Sequence, residues 1–535
     1  MTSHESISAL FESAVRVHGD RPMLAVPERV ASEWMFPVEM TYSEAAARVD
    51  ELTDIYQNLG YGDSDLIALA FDSRPQHLLH YLALNKLGTC IVPLNTDLTA
   101  IELAYVLQHS GACAAVVLSS LLDDVRAAAG LIDGTLPVVT DPALLSPASA
   151  DRPRLETRAN PLRRAAAVLY TSGTTGYPKG CVLDNLYALL SGDNYGASSS
   201  ELTLRAGLDR VLNPLPLYHM NSLMLTFGGV ISRGACMVIP GRFSLRNWWA
   251  DIRETKATRF HYLGIMIPAL MSLPPGDSDR DHTITVAFGA GVDPGVHRAF
   301  EGRFGIPLHE VWGMTETGRG LLVAEEPRFI ETRACGRPQG IEAQVVDDRD
   351  NPVANGQVGE LVIRHSASEP RYGLFSGYLH DDQATERAWA GGWFHTGDLV
   401  CRDDTDMYYF VDRAKNIIRR SGENISSAEV ESVLVNDPRI TQVSVLAVPD
   451  KMRDEEVLAV VVPVDPAADE LVARSICQAA REQLAYFKVP GWIQFVDALP
   501  TTGTQKVQKH LLFPAGFDEI HQVQGLHDCR DLKKR

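Results

Sequence analysis

The stretch AAAVLYTSGTTGYPKG, residues 165–180, governs the interpretation of the whole chain. Its first six residues have the character of a buried strand, which ends abruptly in hydroxyl side chains and glycines. Hydroxyls and backbone N–H groups bind a polyphosphate without adding bulk, and Gly173, Gly176 and Gly180 let the backbone approach an anion closely. Lys179 adds a positive charge. Because the spacing differs from the Walker sequence, the loop predicts a phosphate site of another kind.

A second polar stretch, EVWGMTET at residues 310–317, contains groups that suit a nucleotide and a metal ion. The ring of Trp312 offers a stacking face, and Gly313 permits a ligand to approach the backbone closely. Glu316 supplies a hard oxygen ligand of the kind that Mg²⁺ prefers. Taken alone, Trp312 is also typical of a packed core and Glu316 of a solvated surface. The functional interpretation of this stretch therefore depends on the other motifs in the chain.

Shorter stretches also place small or polar residues at the end of an apolar run. The strand predicted over Thr283–Phe288 ends in Gly289-Ala290-Gly291, against which a flat ligand can lie. The other stretches are PLPLYHMN at 214–221, GWFHTGDL at 392–399, DRAKNII at 412–418 and LPTTGTQKVQK at 499–509. On spacing alone, a histidine, aspartate or lysine in such places is usually packed, turn-forming or solvated.

Together these stretches resemble the AMP-forming adenylating enzymes, which comprise acyl-CoA synthetases, luciferases and peptide-synthetase adenylation domains. The resemblance covers essentially the whole chain, with the motifs in the family's order and spacing. Residues 412–431 look most like the crotonobetaine/carnitine–CoA ligase branch. Val311 stands where a glycine is common, Gln505 replaces the usual glycine, and Lys509 replaces the usual arginine.

The resemblance implies a role for each motif residue. Lys506 matches the lysine that reaches the α-phosphate, and His219 the group beside the acyl carboxylate. Thr174 and Glu316 match the residues that hold Mg²⁺, which completes a catalytic set of four. Asp398 is expected to accept hydrogen bonds from both ribose hydroxyls. The full set of residues expected to bind ATP is Thr171, Ser172, Gly173, Thr174, Thr175, Lys179, Gly289, Ala290, Gly291, Glu310, Val311, Trp312, Gly313, Met314, Thr315, Asp398, Arg413 and Lys506.

The resemblance also implies which residues bind the acid, which line the path of the CoA thiol, and which residue permits the domain movement between the two half-reactions. Lys415 is expected at the hinge about which the C-terminal domain turns. The CoA tunnel is expected at Ser421, Gly422 and Glu423. The expected acyl pocket comprises His219, Met220, Asn221, Tyr262, Gly313 and Met314. Asn185 stands where relatives often carry a histidine, and the sequence assigns it no role.

Alternating apolar strands and helices from residue 66 onward predict βαβ units and an α/β fold class. We expect a large N-terminal domain of parallel α/β subdomains plus a small β-barrel, and a small, mobile α+β C-terminal domain. The predicted domains are residues 1–412, with a β-rich subdomain at about 335–411, and residues 413–535. The charged residues 516–535 predict a loose tail.

Composition narrows the class of protein and its partners. The chain has 535 residues and a formal net charge of −19, which argues against non-specific binding of nucleic acid. Its eight cysteines are scattered without a C-x-x-C pair, as is typical of a reducing compartment. No apolar run reaches the roughly 20 residues that span a bilayer, and a cytoplasmic location is expected. The sequence leaves a homo-oligomer open.

The predicted function is an ATP-dependent carboxylic acid–CoA ligase that uses ATP, Mg²⁺ and coenzyme A and forms acyl-AMP before acyl-CoA. One alternative is an adenylation enzyme that loads the acyl group onto a carrier protein. A luciferase-like oxidase is disfavoured, since nothing in the sequence indicates oxygen chemistry. A third alternative, from a different class, is a protein that holds nucleotide without turnover.

Overall fold

The computed structural model describes residues 4–171, 178–196, 202–413, 416–420, 423–450, 453–501, 507–513 and 525–533. The chain forms two compact units. Unit 1 comprises Met1–Ala343 and Ile363–Phe394, and unit 2 comprises Gln344–Val362 and His395–Arg535. The predicted domain boundary after residue 412 stays a prediction.

The strands number from the N-terminus as follows. The first fifteen are β1 (Pro22–Ala25), β2 (Glu39–Thr41), β3 (Leu66–Ala70), β4 (Cys90–Pro93), β5 (Ala114–Val117), β6 (Val138–Val139), β7 (Ala165–Thr171), β8 (Lys179–Asp184), β9 (Arg210–Leu212), β10 (Cys236–Val238), β11 (Arg259–Leu263), β12 (Val286–Ala290), β13 (Leu308–Trp312), β14 (Leu321–Leu322) and β15 (Ala334–Pro338). The remaining strands are β16 (Glu342–Val346), β17 (Val358–Arg364), β18 (Gly377–Tyr378), β19 (Phe394–Arg402), β20 (Tyr408–Arg413), β21 (Ile417–Arg420), β22 (Glu423–Ser426), β23 (Ile440–Asp450), β24 (Asp454–Pro463), β25 (Trp492–Phe495) and β26 (Leu526–Asp528).

The helices follow the same order. They are α1 (Ile7–His18), α2 (Glu28–Ala31), α3 (Tyr42–Asn58), α4 (Pro75–Lys86), α5 (Ala100–Ser110), α6 (Leu122–Ala129), α7 (Asn185–Gly196), α8 (Phe227–Arg233), α9 (Trp248–Thr255), α10 (Met266–Met271), α11 (Pro294–Phe304), α12 (Asp382–Ala388), α13 (Ser427–Leu434), α14 (Glu470–Arg481) and α15 (Lys509–Leu512). A π-helix, Asn221–Thr226, precedes α8. No described helix has both the length and the apolar content needed to cross a bilayer.

Local sequence signals explain where helices begin and end. The side chain of Thr99 accepts from the N–H of Glu102, whose own side chain accepts from the N–H of Thr99, so a capping box starts α5. The same helix ends at Gly111, whose φ of 67° terminates it. Ser426 caps α13 by accepting from the N–H of Glu429, as its S-x-x-E spacing predicts.

A seven-stranded sheet in unit 1 has the order β18-β8-β7-β4-β3-β5-β6. Strands β3, β4, β5, β6 and β7 are parallel where they pair, which confirms the predicted βαβ organisation. Two antiparallel pairs, β7–β8 and β8–β18, extend the sheet beyond β7. The parallel strands are buried on both faces, because helices cover them on either side.

A second sheet in unit 1 brings together the strands β9, β12 and β13, which carry or precede the motifs at residues 214–221, 289–291 and 310–317. Strands β1, β10, β9, β11, β12 and β13 are parallel in that order. The core against this sheet includes Phe260 and Tyr262 of β11 and Phe300 of α11, all fully buried. The carboxyl ends of parallel strands lie at one edge of a sheet, and ligands of open α/β sheets bind at that edge.

The β-rich part of unit 2 does not form the predicted β-barrel. It is an open run of strands in the order β16-β17-β19-β20, and no pair closes it into a barrel among the described residues. The sequence predicts several short strands correctly, but closure depends on pairing between distant strands. The second sheet of unit 2 has the order β22-β21-β24-β25-β26, with β23 paired to β24.

The C-terminal segment 525–533 is ordered, so the predicted loose tail is wrong for these residues. Strand β26 pairs with β25, and Cys529 is fully buried in the core of unit 2. Lys533 is buried against Glu456, which also accepts two hydrogen bonds from Arg420. Burial lowers the pKa of Lys533 to about 8. The charge of Lys533 is therefore used inside the fold.

Candidate active site

The strands on either side of the glycine-rich stretch, β7 and β8, form an antiparallel pair. Strands β7 and β8 pair in a register that sets Thr171 opposite Lys179, so the residues between them connect two adjacent strands. The predicted ATP ligands Ser172, Gly173, Thr174 and Thr175 lie outside the described residues. The sequence analysis missed β8, although the apolar residues 181–183 carry a strand signal.

Gly180 serves packing. A Cβ atom there would lie 2.9 Å from Cγ1 of Val168, 3.2 Å from Cζ of Tyr170 and 3.4 Å from Cβ of Leu379. Any side chain would thus collide with the neighbouring strand. This close contact between β7 and β8 gives Gly180 a packing role that the sequence did not indicate, and its approach to an anion stays a prediction.

Lys179, Tyr378 and Glu316 form a linked group beside the hairpin. Nζ of Lys179 lies 4.7 Å from the centroid of the Tyr378 ring. The hydroxyl of Tyr378 donates to Oε1 of Glu316 at 3.0 Å, and Glu316 is only 6% exposed. Burial, followed by the Glu316 charge, raises the pKa of Tyr378, which therefore remains a protonated donor. Sequence reasoning missed Tyr378, because only the pairing of β18 with β8 brings it here.

Cys181 lies next to this group and is fully buried. Its Sγ is 3.9 Å from Oγ1 of Thr171, the predicted ATP ligand that ends β7. Burial is the main cause that raises the pKa of the Cys181 thiol, and the charge of Glu316 adds to it. The thiol is accordingly held neutral.

Glu310 organises the turn that follows β12. Its Oε2 accepts from the N–H of Gly291 at 2.6 Å, and its Oε1 accepts from the hydroxyl of Tyr262 at 2.7 Å. Burial raises the pKa of Glu310. Gly291 has a φ of 82°, and a Cβ there would meet nothing within 4 Å, so the backbone beyond Ala290 borders open space.

Tyr262, a predicted acyl-pocket residue, is fully buried in the core of unit 1. Its hydroxyl donates to Glu310 and lies 3.1 Å from the carbonyl oxygen of His309. The structure therefore gives Tyr262 a place behind the turn, where it supports Glu310. Gly289 lies against it, since a Cβ there would be 2.3 Å from the Tyr262 carbonyl oxygen.

The turn after β13 carries the residues from Gly313 to Glu316. The carbonyl of Met314 accepts from the N–H groups of Thr317 and Gly318, each at 3.2 Å, and the hydroxyl of Tyr187 donates to the carbonyl of Thr315 at 2.7 Å. A Cβ at Gly313 would meet nothing within 4 Å. This open space beside the backbone is a cradle that a ligand can enter.

The two residues before Gly313 belong to β13. Val311 pairs with Leu322 and Trp312 with Leu321. Trp312 is 7% exposed, so most of its ring is packed inside unit 1. Stacking of an adenine on this ring stays a prediction.

His219 and Met220 lie at the start of the π-helix. The N–H of His219 donates to the carbonyl of Pro216, and the carbonyl of His219 accepts from the N–H of Leu223. Burial lowers the pKa of His219 to about 4, so the ring is neutral near pH 7. Met220 is the residue that precedes the π-helix, and short π-helical segments frequently mark functional sites.

Asn221 faces a buried polar network. Its Oδ1 lies 2.9 Å from Nδ1 of His261 and accepts from Nδ2 of Asn213 at 3.1 Å. Because Oδ1 can only accept, Nδ1 of His261 carries the proton, and Nε2 accepts from the hydroxyl of Tyr195 at 2.8 Å. Burial lowers the pKa of His261 to about 3. The structure thus uses Asn221 to fix the π-helix.

Asn185 has a structural explanation. Its Oδ1 accepts from Nδ2 of Asn85 at 2.9 Å and from the N–H of Ile7 at 3.3 Å. Its Nδ2 donates to the carbonyl of Pro161 at 3.1 Å. Asn185 therefore joins α1, α4 and the segment before β7, which no local sequence pattern indicates.

In unit 2, the structure brings Asp398 and Arg413 together. They are paired across β19 and β20, and Nε of Arg413 lies 3.0 Å from Oδ1 of Asp398. Asp398 is 2% exposed. The preceding Gly397 has a φ of 69°, and a Cβ there would meet nothing within 4 Å. A carboxylate beside an arginine at an open backbone position suits the predicted ribose and phosphate contacts.

Asp412 is an anchor that sequence reasoning missed. Its Oδ2 accepts from the hydroxyls of Ser426 and Ser427 and from the N–H of Ala428, all at 3.0–3.1 Å. These donors lie at the start of α13, where a negative charge is favoured by the helix dipole. Lys509 contacts the same helix by donating to Ser427 and pairing with Glu431 at 2.9 Å.

Four predicted residues of unit 2, Lys415, Ser421, Gly422 and Lys506, lie outside the described residues. Glu423 begins β22, where it pairs with Arg420. Their predicted roles as hinge, CoA tunnel and catalytic lysine stay predictions.

Comparison with known proteins identifies the family. The sequence profile of the AMP-binding enzymes matches residues 11–379, and that of their C-terminal domain matches residues 429–506. The chain belongs to the AMP-binding enzyme family. This confirms the resemblance to the AMP-forming acyl-CoA synthetases of the adenylate-forming superfamily, and the protein is an AMP-forming acid–thiol ligase.

Curated relatives within this family include crotonobetaine/carnitine–CoA ligases. The protein from Escherichia coli K12 is 30% identical over 482 residues, which cover 87% of this chain and 92% of that protein. The protein from Proteus mirabilis is 31% identical over 490 residues, with coverage of 88% and 93%.

Solved structures share the fold of this AMP-binding enzyme. The o-succinylbenzoate–CoA synthetase of Bacillus subtilis, in complex with its acyl-adenylate intermediate, aligns with a TM-score of 0.78 at 23% identity, covering 94% of this chain and 97% of that chain. A benzoate–CoA ligase from Burkholderia xenovorans aligns with a TM-score of 0.79 at 23% identity, with coverage of 95% and 99%.

Proposed function

We propose that the protein activates a small carboxylic acid with ATP and then transfers the acyl group to coenzyme A. In the first step, a carboxylate oxygen attacks the α-phosphorus, the bond to the β-phosphate breaks, and pyrophosphate leaves acyl-AMP behind. In the second step, the sulfur of CoA attacks the acyl carbon, the bond to AMP breaks, and the thiol proton passes to solvent. This reaction suits the family and its named CoA ligases.

The structural observation that carries the proposal is the group formed by Lys179, Tyr378 and Glu316 beside the glycine-rich hairpin. In it, one tyrosine contacts both a cation of the predicted phosphate-binding stretch and a buried carboxylate. Phosphoryl transfer needs little covalent work from a protein and depends on positioning and on stabilising the phosphoryl charge.

Glu316 fits a Mg²⁺ site. Its carboxylate is a hard oxygen donor, it is buried, and Tyr378 orients one of its oxygens. Thr174, the other predicted ligand, would contribute a hydroxyl. When bound, Mg²⁺ neutralises charge on the phosphate oxygens. Glu316 holds the site in place and Lys179 supplies further positive charge for the leaving pyrophosphate.

The ribose and α-phosphate contacts of ATP are assigned to Asp398, Arg413 and Lys506. Asp398 would accept from the ribose hydroxyls, and Arg413 would contact the ribose or phosphate while it pairs with Asp398. Lys506 would bridge the carboxylate of the acid and the α-phosphate. In the second half-reaction, movement about Lys415 would replace Lys506 by the tunnel residues Ser421, Gly422 and Glu423.

The acid is expected to be of modest size with some apolar surface. His219 is neutral near pH 7, and Met220 and Met314 are apolar and adaptable. Gly313 borders open space, which leaves room for the reacting carboxylate beside the backbone. A cytoplasmic location accords with the scattered free cysteines. A homo-oligomer stays a prediction.

The decisive experiment is ATP–pyrophosphate exchange with a panel of short, branched, aromatic and betaine acids, followed by CoA. Exchange with an acid and formation of its CoA thioester are the expected results. Exchange with transfer only to a phosphopantetheinyl carrier protein would favour the carrier-loading alternative. ATP binding without exchange for any acid would favour a non-catalytic nucleotide-binding protein.

The variant Lys506→Ala tests the assignment of the catalytic lysine. Loss of one preorganised electrostatic contact typically costs about 10²–10³ in rate. We expect this loss in pyrophosphate exchange, while thioester formation from supplied acyl-AMP is largely retained. An equal loss in both half-reactions would refute the role of Lys506.

A further inference from the structure

We propose that Tyr378 is a positioning residue, which fixes Glu316 for Mg²⁺ and holds Lys179 ready for the phosphates of ATP. The inference rests on the proposed function and adds a residue that no motif identified. Its basis is the contact of one tyrosine with both groups, through its hydroxyl and through its ring face.

The hydroxyl contact has a defined direction. An ionised carboxylate only accepts hydrogen bonds, so the Tyr378 hydroxyl must donate to Oε1 of Glu316. A hydrogen bond to a charged acceptor is stronger than one between neutral groups and restricts the rotation of the carboxylate. Tyr378 can therefore hold Glu316 in one orientation before a ligand arrives.

The ring contact suits a cation that must later bind an anion. Nζ of Lys179 lies 4.7 Å from the ring centroid, within the range of a cation–π interaction. Among the residues that the structure describes, Lys179 has no carboxylate partner. Its charge is thus ordered on the ring and is not neutralised, so the ammonium stays available for phosphate.

The backbone around Tyr378 is fixed independently of both contacts. In β18 Tyr378 pairs with Cys181 of β8, and its N–H donates to Oγ1 of Thr385 at 2.9 Å. The ring also packs edge-on against Phe375, with centroids 5.0 Å apart. Tyr378 is therefore held from the hairpin side and from α12, as a preorganised positioning residue requires.

Two substitutions separate the two contacts. Tyr378→Phe keeps the ring under Lys179 and removes the hydroxyl, so the Mg²⁺ concentration for half-maximal ATP binding should rise about 10-fold. Tyr378→Leu removes both contacts, so it should show the same Mg²⁺ shift and, in addition, weaken ATP binding at saturating Mg²⁺ by a few fold.

The primary readout is binding, measured by titration calorimetry of the full chain with ATP at varied Mg²⁺ and without any acid. The matched control is Tyr61→Phe, which removes another tyrosine hydroxyl of unit 1, bonded to the carbonyl of Ser146 at 3.2 Å. That variant should leave the Mg²⁺ dependence unchanged. Equal shifts of the Mg²⁺ dependence in Tyr378→Phe and Tyr61→Phe would indicate a general loss of structure and would overturn the inference.

Glu316→Gln distinguishes failure of the inference from failure of the proposed function. If Glu316→Gln shifts the Mg²⁺ dependence and Tyr378→Phe does not, Tyr378 is not a positioning residue and the proposed function stands. If neither variant shifts it, Glu316 is not the Mg²⁺ ligand and the inference fails, while pyrophosphate exchange and thioester formation decide separately on the proposed function. When both shift it, the double variant decides: the Tyr378→Phe effect should vanish in the Glu316→Gln background, and full additivity would overturn the coupling.

Discussion

Two tyrosine–glutamate pairs in unit 1 form the same type of hydrogen bond but have different roles. Tyr262 donates to Glu310 at 2.7 Å, and Tyr378 donates to Glu316 at 3.0 Å. The first pair lies in the core, with Tyr262 fully buried. The second lies at the hairpin, where the half-buried Tyr378 also carries Lys179 on its ring.

The difference between the pairs lies in what else each carboxylate contacts. Glu310 accepts from the backbone N–H groups of Gly291 and Val292, so its oxygens hold a turn. Glu316 instead lies in a group of side chains with Tyr378 and Lys179, which can change partners without unfolding the backbone. A buried carboxylate bonded to a tyrosine is therefore a structural or a functional group according to its neighbours.

Removing the two carboxylates should give opposite results. Glu310→Ala removes the acceptor of the Gly291 N–H at an exposed turn and leaves the buried Tyr262 hydroxyl only the carbonyl of His309. The free energy of unfolding should thus fall by about 1–3 kcal/mol, measured by urea denaturation. Glu316→Ala should lower stability much less and adenylation much more. Similar losses of stability and of adenylation activity in both variants would contradict the distinction between the two pairs.

A third buried carboxylate, Asp398, extends the comparison to unit 2, where the partner is a cation. If Asp398 binds both ribose hydroxyls, each charge-assisted bond contributes about 1.5–3 kcal/mol. Wild type should therefore discriminate against 2′-deoxy-ATP by about 10-fold or more, and Asp398→Ala should not discriminate. Relative kcat/KM values for the two nucleotides provide the measurement, and equal discrimination by both proteins would exclude Asp398 as the ribose ligand.

The smallest expected effect concerns the backbone between the two glutamates. A Cβ at Gly313 meets no protein atom within 4 Å, so Gly313→Ala should fold normally. If a ligand occupies this space, the KM for ATP or the acid should rise a few fold. Gly302→Ala in α11 is the control, because its Cβ also meets nothing within 4 Å, and alanine there should stabilise the helix by about 0.5–1 kcal/mol. Unchanged KM values in Gly313→Ala would place the ligand elsewhere.

The sequence by itself determined the elements and the family. The strands and helices that are predicted to alternate from residue 66 onward are found as β3, α4, β4, α5 and β5. Short apolar runs, helical spacing and capping residues are local signals, so they survive in a single sequence. The motif resemblance likewise singled out Glu316, Asp398 and Arg413, whose contacts the structure describes.

Only the tertiary structure decided which residues meet. Tyr378 reaches Glu316 across 62 positions of sequence, and Asn185 reaches Asn85 across 100. The packing reason for Gly180 and the burial of Lys533 likewise depend on strands and segments that are remote in the chain. Such contacts arise from strand pairing and core packing, which no local spacing encodes, and they decide why Glu310 supports the fold while Glu316 is placed for chemistry.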